Sequence, residues 1–155
     1  MKIPRLPLPL GLVLAAALAA RAQAPATAKP VLAPMKDSAV FDAKDFVAKE
    51  WPNGSRRRMV FDGPSAKMDE LECHVTTLKS GQTSGAPHTH TDEELTVVNS
   101  GTVEVIINGR TQAIGAGSVF YFAPQDSVGI RNPGPGDATY TVFKMTVHAV
   151  PVPTK

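Results

Sequence analysis

Six short runs in which β-branched and aromatic residues alternate with polar ones fill the second half of the chain, at 71–78, 94–98, 102–108, 118–122, 128–132 and 139–147. Successive side chains of an extended strand point to opposite faces, so a period of two marks half-buried strands. Several such strands at short spacing predict an antiparallel barrel or sandwich. Asn99-Ser100-Gly101, Asn108-Gly109 and Gly115-Ala116-Gly117 stand between runs and supply the positive φ that tight hairpins need, Asn108-Gly109 most strongly. No helical period of comparable length competes, and the pattern predicts an all-β fold.

The phase of the pattern also assigns faces. Leu71, Cys73 and Val75 alternate, which makes Cys73 a small apolar core residue and turns His74 to solvent; the same count from Phe143, Met145 and Val147 puts His148 outside. Before Asp69 the signals are mixed. Phe41, Phe46, Val47 and Trp51 suit one end of a core, while Pro52-Asn53-Gly54 and Asp62-Gly63-Pro64 read as turns.

The first residues carry a different signal. Lys2 and Arg5 precede an apolar run at 6–20 and then small residues, the organisation of a secretory signal peptide. Cleavage after Ala22 is preferred to cleavage after Ala24, which would leave Pro25 as the new terminus. Pro4, Pro7 and Pro9 interrupt a run already short of the roughly 20 apolar residues that span a bilayer, so no stable membrane anchor is expected after cleavage. The expected layout is a signal peptide at 1–22, an Ala- and Pro-rich flexible leader at 23–37, a barrel domain at 38–150 and a tail at 151–155. The expected destination is the periplasm or the cell exterior.

Export revises the charge. The removed piece holds Lys2, Arg5 and Arg21 and no acid, so the formal +2 of the 155-residue chain becomes −1. The one basic run, Arg56 to Arg58, adjoins Asn53-Gly54-Ser55 and reads as a solvated turn, too narrow a footprint for nucleic acid. Cys73 is the only cysteine, so no internal disulfide forms even in an oxidising compartment, and stability rests on packing.

The chemistry concentrates in GAPHTHTDEELTVVNSG. His88 and His90 stand two apart, so on a strand both face one side, and Glu94 lies an even number of positions beyond. Two imidazoles and a carboxylate suit a borderline divalent metal, Fe, Mn, Zn or Ni. The plainer reading is a polar strand that ends in a solvated acidic tip of Asp92, Glu93 and Glu94.

These residues resemble the cupin superfamily, specifically its small one-domain members. His88, His90, Glu94 and Gly101 fit the spacing of the first cupin motif, although Gly81 stands one residue too far upstream of its leading glycine. Gly117, Pro124 and Asn132 match the second motif. The resemblance implies a compact antiparallel jelly-roll barrel, metal ligands at His88, His90 and Glu94, and a fourth ligand, a histidine, from the second motif. That histidine is missing: counting back from Asn132 puts Val128 at its position, and counting forward from Pro124 puts Gly129 there.

The functional expectation is an exported cupin holding a small molecule, with a divalent metal, in a barrel pocket. One alternative is a metal-dependent enzyme such as a non-haem dioxygenase, whose two-histidine, one-carboxylate site leaves positions open. The other is a noncatalytic ligand-binding module without metal, whose pocket parity would line with Thr96, Val98, Tyr121 and Val128. Many cupins dimerise, so the resemblance also implies a homodimer.

Overall fold

The alternating runs form strands. The computed structural model describes residues 34–147, so the signal peptide at 1–22, the start of the leader, His148 and the tail at 151–155 lie outside the described residues. A short 3-10 turn at Ala43–Asp45 precedes β1 (Lys49–Glu50), β2 (Arg56–Gly63), β3 (Glu70–Leu78), β4 (Glu93–Ser100), β5 (Thr102–Ile107), β6 (Arg110–Gly115), β7 (Val119–Phe122), β8 (Val128–Arg131) and β9 (Ala138–Thr146). They build a six-stranded sheet, β1-β2-β3-β9-β4-β7, and a three-stranded sheet, β6-β5-β8, with every strand pair antiparallel. Residues 83–88 run beside β8, with bridges from Thr83 to Arg131 and from His88 to Val128. The result is an all-β, antiparallel jelly-roll barrel. Among the described residues no helix is long and apolar enough to cross a membrane.

Turn chemistry closes the barrel where the sequence expects it. Gly101, between β4 and β5, has φ +75°, and a Cβ there would meet the Asp137 carbonyl oxygen at 2.6 Å and Ala138 Cα at 2.8 Å. Both the backbone sign and the close approach require glycine. Asn132, fully buried, donates to the carbonyls of Leu78 and Gly136 at 2.9 and 2.7 Å and accepts the Gly134 N–H at 2.9 Å. The second-motif asparagine therefore ties the loop after β8 to the end of β3.

One half of the interior is apolar: Val103, Val105, Val128 and Ile130 of the small sheet pack with Leu78, Val98, Tyr140 and Val142 of the large one. The other half is polar, which corrects the predicted phase of β3. Glu72, His74 and Thr76 are the buried set, in step with Leu78, whereas Leu71, Cys73 and Val75 lie half-buried on the outer face. Hydrophobicity misassigns the faces because the inward polar groups find partners: His74 Nδ1 lies 2.7 Å from Glu72 Oε1, and Arg57 of β2 approaches the same oxygen at 4.0 Å.

Two further expectations change. Arg56 to Arg58 open a strand paired with both β1 and β3 and are not a turn; the Arg57 guanidinium sits 4.5 Å above the Trp51 ring. Phe41, Val47 and Trp51 do not cap the core, being 43%, 79% and 46% exposed; Phe41 instead stacks with Phe46 and with Phe61 of β2.

Candidate functional site

His88 and Val128 exchange both backbone hydrogen bonds, at 3.0 and 2.9 Å, and so stand directly opposite each other. Side chains of such a pair share a face, and Val128 points into the core, 2% exposed. Gly129, the other position that the second motif offers, faces the opposite way, toward Pro87 and Ile106.

Both imidazoles are oriented through Nδ1. His90 Nδ1 lies 2.8 Å from the Asp92 carbonyl oxygen and His88 Nδ1 lies 3.2 Å from that of Ala86. A carbonyl only accepts, so Nδ1 of each ring is the donor and Nε2 is the nitrogen left for another partner, the orientation typical of metal-ligating histidines. His90 Nε2 is buried and has no hydrogen-bond partner. His88 is exposed, and the two ring centroids are 6.0 Å apart. Glu94, at the start of β4, shares the inner face with Thr96 and Val98, stands opposite Lys144 and Phe122, and accepts from Thr96 Oγ1 at 3.3 Å.

The ligand atoms of the three predicted residues do not all lie within 4.8 Å of one another. Among the described residues, the trio whose ligand atoms all lie within 4.8 Å of one another is Asp62, Glu70 and Glu72. The donor types fit a divalent metal, and the orphaned Nε2 of His90 is the atom that such an ion would satisfy.

Charged groups in and beside the interior extend the site beyond what parity suggested. Burial opposes ionisation of Glu72, but the adjoining His74 and the more distant Lys144 and Arg57 outweigh it and hold the carboxyl below its ordinary value. Asp92 behaves alike: burial opposes ionisation, whereas Lys144 at 3.0 Å, Thr146 at 2.8 Å and nearby His90 lower its pKa. Tyr140 moves the other way, because burial, with Glu94 adding to it, pushes its phenol far above the usual range. Leu78, in phase with Glu72 and His74, was the signal that could have revealed this face. Tyr121, predicted to line the pocket, is 45% exposed on the outer face, whereas Thr96, Val98 and Val128 do face inward. Asp126 stays in its turn, accepting from Asn108 Nδ2 at 2.8 Å.

A larger space adjoins these groups. A cavity of about 800 Å³ opens between β6 and β7, its lining including Val105, Ile107, Ile114 and Phe120 but none of His88, His90 and Glu94. Ile107 faces Val128 in register, so the cavity and the histidines are neighbours across one residue pair.

The family described as Cupin domain matches residues 74–144. Residues 74–144 read as a cupin domain, and the barrel has the cupin fold. The cupin fold is shared with an RmlC-like cupin from Shewanella frigidimarina, at 19% identity over 74% of this chain and 97% of that one, TM-score 0.59. It is shared too with the polyketide cyclase RemF from Streptomyces resistomycificus, at 16% identity over 70% and 80%, TM-score 0.59. A predicted oxalate decarboxylase from Thermotoga maritima matches at 20% identity over 70% and 100%, TM-score 0.58. At such identities the likeness shows the fold alone. No curated protein matches the sequence.

Proposed function

We propose that this cupin is an exported small-molecule-binding barrel that holds a divalent metal through His88, His90 and Glu94. The observation that carries the reading is the buried, partnerless Nε2 of His90, on a ring whose Nδ1 proton is already committed to the Asp92 carbonyl. A buried acceptor left unsatisfied is costly, and a metal ion removes that cost. When bound, the ion supplies a Lewis acid. His88 and His90 offer neutral nitrogen donors, Glu94 offers an anionic oxygen, and Val128 closes the fourth direction without a ligand. With three protein ligands instead of four, the site holds its ion more weakly and reversibly.

Structures of this fold are described as a polyketide cyclase and as a predicted oxalate decarboxylase, so activity is set by the pocket and not by the barrel. A second reading, a binding module that needs no metal, is favoured by Val128 and by the cavity beside it. Thermal-shift measurements on the chelated protein separate the two: stabilisation by Zn²⁺ or Mn²⁺ that chelator reverses supports the metal site. Stabilisation by organic ligands alone, undiminished in chelator, supports the second reading. A homodimer belongs to this proposal, paired through the outer face of the large sheet.

A further inference from the structure

The small sheet ends at β6 and the large sheet ends at β7, and the cavity of about 800 Å³ lies between these two edges. Such a volume is in the range that holds small organic ligands. Val105, Ile107 and Ile114 form an apolar wall of one sheet, and the Phe120 ring faces them from the other. Arg110 and Gln112, in step with Ile114 along β6 and paired with Ile107 and Val105, stand at the rim. Arg110 makes no ion pair among the described residues. On the neighbouring elements, Glu104 of β5 pairs with Arg131 on the opposite face, and Asp126 takes the Asn108 amide.

An uncommitted guanidinium above an apolar slot selects a particular chemistry. The polar lining residues Asn108, Arg110, Thr111 and Gln112 all belong to the β5–β6 turn and β6, so the hydrogen-bonding groups sit at one side and the remaining lining is apolar. A flat apolar body is matched by Phe120 and the branched side chains, and a carboxylate at one end is matched by the fork of Arg110. We propose that this cavity binds a small aromatic or branched carboxylate, its apolar body between the sheets and its anionic group on Arg110. The proposal deepens the reading of the barrel as a small-molecule site and does not depend on the metal.

The test compares 2-naphthoate with uncharged 2-naphthamide by calorimetry, in chelator, on the full mature chain. Arg110 is exposed, so the charge preference is modest: the acid should bind about fivefold more tightly than the amide. Arg110→Gln should remove that difference and Arg110→Lys should restore part of it. Gln112→Trp, which fills the slot from an exposed edge position, should weaken both probes more than about tenfold. Equal affinity for acid and amide in the native protein, or a preference that survives Arg110→Gln, overturns the anion assignment. Binding that appears only with added metal moves the ligand to the histidines and overturns the cavity assignment. Absence of binding by either probe, in protein that Zn²⁺ still stabilises, overturns the inference and leaves the metal reading standing.

Discussion

At the scale of single residues, the legible part of the site was the part fixed by local spacing. His88 and His90, two apart in the sequence, bring their ring centroids to 6.0 Å, with His90 Nε2 buried and the His88 ring exposed. Glu72 and His74 were not legible, because their burial depends on partners from other strands, Arg57 of β2 and Lys144 of β9, that no local pattern names. Their pairing has a measurable consequence. Glu72 is held below its ordinary value near 4.5, so its ionised form favours the folded state. The stabilisation is fully present above the unfolded value and is lost as pH falls through the lower folded one. Denaturant titrations from pH 6 to pH 3 should therefore show stability dropping in the acid range, with a shallower drop in Glu72→Gln. Identical acid profiles for the two proteins would remove Glu72 from the account.

Elements were read well wherever alternation was strong and poorly at edges. The runs at 71–78, 102–108 and 139–147 coincide closely with β3, β5 and β9. Strand β6 has Ile114 as its one large apolar residue, and β2 opens with three arginines; both gain their structure from a neighbouring strand and not from their own pattern. The second motif was legible through Asn132, whose buried side chain closes the loop after β8. Asn132→Ala should cost about 2–4 kcal/mol in urea unfolding, since it strands two carbonyls and one N–H in a buried loop. Gly101→Ala should cost about 1–3 kcal/mol, combining positive φ with a blocked approach to the Asp137 carbonyl. A loss under about 0.5 kcal/mol in either variant would contradict the role given to that residue.

For the molecule as a whole, the barrel leaves an apolar band on the outside of its large sheet, where Cys73, Phe143, Leu95 and Tyr121 follow one another across four strands in register. Leu95 and Tyr121 are 37% and 45% exposed. If two copies pair there, Leu95→Glu should convert a dimer to a monomer in sedimentation velocity without loss of the β-sheet circular dichroism; a native monomer at micromolar concentration would exclude the pairing. The proposed metal site draws on Glu94 on the inner face of this sheet and on the two histidines beside β8 of the small one. Chelated mature protein should be titrated with Zn²⁺ and Mn²⁺, with elemental analysis, as native chain, His90→Ala and Val128→His, each checked for folding. One reversibly bound ion per native chain is expected, none in His90→Ala, and affinity raised about tenfold or more in Val128→His, where the added side chain stands opposite His88. No binding by the native protein and no gain in a folded Val128→His would contradict the metal site.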